Sequence, residues 1–362
     1  MPDEPLSGYR GRRVLITGHN GFVGSWTTRR LGGLGAEVFG FSRSGRQPHA
    51  PMSEGVSVTF GDVSDRATVF EAMERYRPDI VLHLAAQPLV SEAVADPGTT
   101  VRANTLGTAH VLEAAVRTST VRSVVLMGTP GEPDQGVEDA LDPYTASKTA
   151  GAALAAGFAH RATQRAAGRR SALHVRVVRP GVILGGDLTP GRLLPGVIDA
   201  LNSGSPVRIS RPGDRRPWQH VLDVAQEVLS AGLAAAGAPS SAPSFEIRNL
   251  TQKSSLATVQ HLVSMFLRHW GKPEWPMEIP VEDQLAGVTD PPAGSAAPSS
   301  QGGPVWDLDG TVAAAAWWYR AVQEDPTARA RATDRQIHLY ASDLRRLAAS
   351  RAAASTELRK EP

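Results

Sequence analysis

Along the first half of the chain, short apolar runs alternate with longer stretches in which apolar residues recur every three or four positions. The runs at 13–17, 37–41, 56–60, 79–84, 121–127 and 173–178 predict strands, and the periodic stretches at 25–34, 67–76, 99–116 and 144–165 predict helices. Asp79-Ile80-Val81-Leu82-His83-Leu84 is apolar at almost every position, as a strand covered on both faces requires. Strand–helix units repeated in this way predict an α/β protein with a doubly wound parallel sheet.

The second half is less regular. Residues 181–217 are rich in Gly, Pro and Arg; helices are predicted at 224–235, 255–270 and 312–322, with a strand at 245–247 and a loop at 290–304. From Thr333 an Arg/Ala-rich stretch reads as a solvated terminal helix. The expected organisation is a dinucleotide-binding domain of residues 11–186 and 219–249, a smaller C-terminal substrate-binding region of 187–218 and 250–345, and a tail of 346–362.

Composition narrows the function classes. Lys and Arg number 38 against 36 Asp and Glu, a net charge of +2, which is too small for a general nucleic-acid or membrane-surface binder. No cysteine is present, so disulfides, thiolate metal sites and a cysteine nucleophile are excluded. No apolar run approaches the roughly 18 residues of a membrane span, and the polar start with Pro2 and Pro5 is unlike a signal peptide. A cytoplasmic protein without membrane or nucleic-acid partners is expected. No His-x-x-x-His or similar pair points to a metal.

Between the first strand and first helix lies Thr17-Gly18-His19-Asn20-Gly21-Phe22-Val23-Gly24-Ser25. Gly18, Gly21 and Gly24 allow a tight turn and close approach of a pyrophosphate, and the helix that follows offers its N-terminal N–H groups. This context predicts a Rossmann dinucleotide site. At the end of the second strand an acidic residue would bind a ribose 2′-hydroxyl and favour NAD. The chain has Ser42 and Arg43 there, with Arg46 nearby. That pair could equally hold the 2′-phosphate of NADP, or Arg43 could be a solvated loop charge. Asp62, after the third strand, could accept from the adenine amino group, while Ser64 or Asp65 is the more natural cap of the next helix.

Tyr144-Thr145-Ala146-Ser147-Lys148 places a phenol and an ammonium one helical turn apart on the same face. A tyrosine with its ordinary pKa of about 10 is a poor base, and a neighbouring positive charge favours the phenolate. The pair suits proton exchange with a substrate oxygen during hydride transfer, and the lysine can also reach the nicotinamide ribose.

These motifs resemble the extended short-chain dehydrogenase/reductases, and most closely their CDP-glucose 4,6-dehydratase group. The likeness runs through the glycine loop to Trp26, His83-Leu84-Ala85-Ala86-Gln87-Pro88-Leu89-Val90, Asn104-Thr105-Leu106-Gly107-Thr108, Asp142-Pro143-Tyr144 and Arg192-Leu193-Leu194-Pro195. It is most specific at Arg216-Pro217-Trp218-Gln219-His220-Val221-Leu222 and extends to the tail at Thr333-Asp334-Arg335-Gln336-Ile337-His338-Leu339-Tyr340. The resemblance implies hydride transfer at C4 of a nucleotide-linked hexose, CDP-linked above all, with Tyr144 as base, Lys148 as its support and Thr129 bonding the substrate oxygen. It places NAD or NADP against Gly18, Asn20, Gly21, Phe22, Gly24, Ser42, Arg43, Asp62, Val63, Leu84, Ala85, Ala86, Asn104, Tyr144 and Lys148. It places the substrate against Gln87, Arg179, Arg192, Arg216 and His220, and it implies a homodimer through helices starting near Thr99 and Tyr144. His83 reads as a satisfied structural histidine.

The resemblance breaks where water would be eliminated. Dehydration needs a base for the C5 proton and an acid for the departing C6 hydroxyl. The family carries an Asp and a Lys directly after the position of Thr129, where this chain has Pro130 and Gly131. Val23 and Val182 replace a usual lysine and asparagine. Epimerisation or ketoreduction at C4 is therefore expected. The alternatives are dehydration using a carboxylate from Glu132, Asp134, Glu138 or Asp139, and a nucleotide-binding module without turnover.

Overall fold

The computed structural model describes residues 6–43, 48–130, 142–165, 173–239, 242, 244–250, 255–280 and 303–358. Its centre is a sheet of seven strands, all parallel: β1 (Arg13–Thr17), β2 (Glu37–Ser42), β3 (Ser57–Phe60), β4 (Ile80–His83), β5 (Ser123–Met127), β6 (His174–Arg179) and β10 (Phe245–Asn249). The spatial order is β3-β2-β1-β4-β5-β6-β10. Chain direction reverses its march across the sheet between β1 and β4, so a crevice opens beyond their carboxyl ends.

Alternate strand residues feed opposite cores. Leu15 and Val81 face a core built with α2 (Arg66–Tyr76), α5 (Gly107–Arg117) and α6 (Pro143–Arg165). Val14, Ile16, Ile80 and Leu82 face a second core built with α1 (Phe22–Gly33) and α8 (Val221–Gly237). Period-two alternation with both faces buried is what makes these strands read as continuous apolar runs.

The predicted helix at 99–116 is instead α4 (Pro97–Val101), a π turn (Arg102–Leu106) and α5, with the short α3 (Val90–Ala95) ahead of them. Asp96 restarts the helix, its carboxylate accepting from Thr99 N at 2.9 Å with Pro97 in the first turn. Asp65 caps α2 by accepting from Ala67 N.

In the Gly/Pro-rich second half, the pattern misses β7 (Val182–Leu184), α7 (Leu193–Ser203), β8 (Val207–Arg208), β9 (Arg215–His220), β11 (Leu256–Thr258) and β12 (Met277–Glu278). β7, β9 and β11 form a small sheet of three strands, and β8 pairs with β12. The remaining helices are α9 (Val259–Trp270), α10 (Leu308–Glu324) and α11 (Arg329–Leu358). An aromatic core centred on Trp318, Phe266, Trp218 and Tyr340 also takes in Trp26 of α1 and Val221 of α8, so the two regions share one packed interface. The expected boundary at 218–219 falls inside β9, and the expected tail at 346 falls inside α11. The first half of α11 is solvated on one face only: Thr333, Gln336 and Tyr340 on the other are buried. Among the described residues no helix is long and apolar enough to cross a membrane, and no cluster of metal-ligating side chains occurs.

Candidate active site

The glycine loop closes onto β4. Gly18 has a φ of +73°, and a Cβ there would stand 2.7 Å from Ala85 N, so both conformation and space demand glycine. A Cβ on Gly24 would lie 2.0 Å from Gly18 O, which fixes how tightly α1 packs on the loop. Gly21 is the cap residue of α1; no side chain bonds the helix end and no acid stands in its first turn. A bare backbone cradle facing a positive helix end fits a dinucleotide pyrophosphate. Half-buried Asn20 and Phe22 lie at this loop, and half-buried Leu84, Ala85 and Ala86 form the opposite wall after β4.

His83 stands behind that wall. Thr108 Oγ1 donates to Asn104 O at 2.6 Å, so it accepts from His83 Nε2 at 3.0 Å. His83 Nδ1 then accepts from Thr17 Oγ1 at 2.7 Å, and Thr17 Oγ1 takes the Ala85 N–H at 3.3 Å. Burial, with the nearby Lys148 charge, pushes the imidazole down to about 3, so it stays neutral and serves as a brace.

Three expected ligands turn out to be scaffold. Asn104, in the π turn and 2% exposed, accepts from Gln87 N at 2.8 Å and donates to Gln87 O and Ser147 Oγ. Its amide is used in holding the β4 loop to α6. Gln87 closes its own turn, with Nε2 donating to Leu89 O and Thr100 Oγ1 and Oε1 accepting from Leu89 N. His220 is fully buried between Trp26 and Trp306, and its Nδ1 accepts from Leu222 N as the cap of α8. A ring sealed in this way cannot touch substrate. Val63 is also mostly buried, packed where a Cβ on Gly107 would lie 2.6 Å away.

At the chemical end, Asp142 sets the start of α6 by accepting from Thr145 N and Thr145 Oγ1 at 2.9 and 2.7 Å. Ser147 Oγ, which receives the Asn104 amide, donates to Tyr144 O at 2.7 Å. The helical turn bearing Tyr144 and Lys148 is thus fixed from two sides. Lys148 Nζ donates to Met127 O, the end of β5, at 2.9 Å. Thr129 follows two residues on, half-buried like Tyr144. Asp142 and Ser147 were not singled out in the sequence reading, although Asp-Pro ahead of a helix signals a cap. Pro130 is half-buried beside Thr129, whereas Gly131, Glu132, Asp134, Glu138 and Asp139 lie outside the described residues.

Across the cleft, Arg192 stands just before α7 without bonding the helix end, and its Nη2 reaches Pro88 O at 3.4 Å, joining the second region to the β4 loop. Its Nε is buried without a hydrogen-bond partner. Arg216 on β9 donates to Asp214 at 2.5 Å, and Arg211 contacts the same buried carboxylate at 3.1 Å. Arg216 is thereby oriented while its side chain remains 38% exposed. Arg179 closes β6 and is only 4% exposed, set deeper than the other two.

The NAD dependent epimerase/dehydratase family matches residues 14–245. The chain is 30% identical over 249 residues to CDP-glucose 4,6-dehydratase of Salmonella typhimurium, covering 62% of this chain and 69% of that protein. Its fold is similar to epimerase Mth375 of Methanothermobacter thermautotrophicus, with a TM-score of 0.72, 20% identity and coverage of 88% and 95% of the two chains. It is similar also to WbmH of Bordetella bronchiseptica, solved in complex with NAD+, with a TM-score of 0.66, 21% identity and coverage of 86% and 99%. A match over more than half the chain, joined to the glycine cradle and the Tyr144–Lys148 helix, makes this protein a member of the NAD-dependent epimerase/dehydratase family of enzymes, within the extended short-chain dehydrogenase/reductases.

Proposed function

We propose that this enzyme transfers hydride at C4 of a nucleotide-linked hexose, CDP-linked above all, without eliminating water. The observation that carries the reading is the replacement at 130–131: a braced Thr129–Tyr144–Lys148 set is followed by Pro130 and Gly131, whose side chains can neither take the C5 proton nor give one to the C6 hydroxyl. A bound nicotinamide supplies the hydride acceptor and, in the return step, its donor. Tyr144 takes the proton of the C4 hydroxyl while Thr129 holds that oxygen, and the same phenol returns the proton when the ketone is reduced. Lys148, held by the Met127 carbonyl, places a positive charge where it favours the phenolate. Arg192 and Arg216 grip the diphosphate. Return of hydride to the opposite face gives epimerisation; reduction of a supplied keto-sugar by an exchangeable NADPH, which leaves as NADP+, gives ketoreduction.

The test is mass spectrometry and NMR of CDP-glucose incubated with the purified enzyme. Unchanged mass with inverted C4 supports the proposal. Loss of one water overturns it in favour of the second reading, dehydration with a carboxylate from 132–139, which the similarity to CDP-glucose 4,6-dehydratase favours. A homodimer belongs to the same proposal. Val90, Val94, Val101 and Leu106, each more than 40% exposed, lie along α3, α4 and the π turn, where a second copy would cover them. A monomer mass in sedimentation would remove it.

A further inference from the structure

We infer that His49 is a positioning residue for the substrate clamp: its imidazole carries the placement of α1, on the dinucleotide side, across to the turn that presents Arg192. The inference rests on reading Arg192 as a grip on the substrate diphosphate. On the dinucleotide side, Ser42 is buried at the end of β2, Arg43 is exposed beside it, and Asp62 accepts from Ser64 N and Oγ at 2.8 and 2.7 Å. The chain between β2 and β3, of which Arg46 lies outside the described residues, meets α1 at residues 49–52. There Ala50 N donates to Ser25 Oγ at 2.9 Å, and Arg29 Nη1 donates to Pro51 O and Met52 O at 2.8 and 3.2 Å. The segment is thereby fixed to the helix whose start closes the glycine loop. The His49 ring packs on Phe22 of that loop, with centroids 6.0 Å apart, and the residue is 4% exposed.

From this seat His49 Nδ1 accepts from Leu188 N at 2.7 Å, which leaves the ring proton on Nε2. The same nitrogen lies 3.3 Å from Asp187 Oδ1, an oxygen that accepts from Thr189 N at 2.9 Å. Residues 185–192 link β7 to α7, and α10 holds them from the far side. Tyr319 Oη donates to Asp187 O at 2.6 Å and accepts from Asp187 N at 3.1 Å. From α1, Trp26 Nε1 adds a longer bond to Gly186 O at 3.4 Å. The side chain of Leu188 does little to anchor the turn, since the residue is 41% exposed; its N–H, bonded to a buried imidazole, does. The placement then passes down the chain. Arg192 N donates to Thr189 O at 3.4 Å and Gly196 N to Arg192 O at 3.0 Å, so the turn sets where Arg192 leaves the backbone at the start of α7. A group that must meet a diphosphate is useful when held to within about 0.5 Å by its supports. His49 supplies that support from the side on which the dinucleotide cradle lies.

Isothermal titration of the full-length enzyme with CDP and, separately, with NAD+ tests this without turnover. His49→Ala should weaken CDP binding about three- to ten-fold and leave NAD+ affinity within about three-fold. His49→Asn, whose Oδ1 takes the place of Nδ1 and accepts from Leu188 N, should bring CDP affinity back to within about two-fold of the parent enzyme. Arg192→Ala should weaken CDP binding about ten-fold or more. If Arg192→Ala does so, three results overturn the positioning role and leave the clamp standing: CDP affinity unmoved by His49→Ala, equal losses in the Ala and Asn variants, or CDP and NAD+ affinity falling together. No effect of Arg192→Ala, or no binding of CDP by the parent enzyme, overturns the clamp reading and the inference with it.

Discussion

Tyr144, the proposed base, sits on a helical turn that other residues hold still. Its helical turn is bonded through Ser147 to Asn104, and its helix start through Thr145 to Asp142, so the backbone that presents the phenol is fixed before substrate arrives. Tyr144→Phe removes the proton acceptor and little packing. Hydride transfer, followed by nicotinamide absorbance in a single turnover, should fall about 10²–10⁴-fold, with dinucleotide affinity within about three-fold. Normal turnover by this variant would show that another group takes the proton. Residue type alone could not rank the candidates. Asn104 and Gln87 look like ligands in the sequence, but buried amides must find hydrogen-bond partners, and theirs are in the scaffold.

At the scale of elements, β9 presents Arg216, the proposed diphosphate clamp. Neighbouring strand residues point to opposite faces, and Arg216 shares the buried Asp214 with Arg211. Asp214 orients the guanidinium but also offsets part of its charge. Arg216→Ala should weaken nucleoside-diphosphate binding about ten-fold or more, with Arg215→Ala changing it much less, both read by titration with CDP. Equal effects from the two would remove Arg216 as the clamp. The central strands β1, β4 and β5 are legible because burial on both faces makes each a nearly continuous apolar run. β7, β8, β9, β11 and β12 are not, since strands of two to six residues in a Gly/Pro-rich stretch exist through the partners they pair with. The π turn leaves no such signature, because one widened helical turn hardly disturbs the periodicity.

Over the whole molecule, the C-terminal helix is a structural member that locks the two regions together. Tyr340 of α11 donates to Asp223 of α8 at 2.8 Å, and Val305 N donates to the same oxygen at 3.0 Å. Burial pushes Asp223 up to about 6 despite these bonds and the nearby Arg30 charge. The native pKa lies above the unfolded one, so the native state holds the proton more tightly. Stability from this group is greatest below about pH 4 and declines as pH rises towards 6. Tyr340→Phe removes one donor and raises the cost of the charged form. It should destabilise the fold by roughly 1–3 kcal/mol near pH 8 and by less near pH 5, measured by urea unfolding at both. An equal loss at the two pH values would show that the bond does not serve the carboxylate.

Local pattern sufficed for the seven-stranded sheet, the glycine cradle and the Tyr144–Lys148 pair, because each depends on neighbours within one or two turns of chain: apolar period, turn-forming glycine, helical spacing. Folding settled the rest. It sealed His220 into the aromatic core, turned Asn104 and Gln87 into braces, carried α11 past the expected tail and brought His49 to Leu188 from far along the chain. Such long-range partners follow from how helices seat on the sheet, and spacing along the chain does not encode where each side chain then finds its hydrogen bond or its opposing charge.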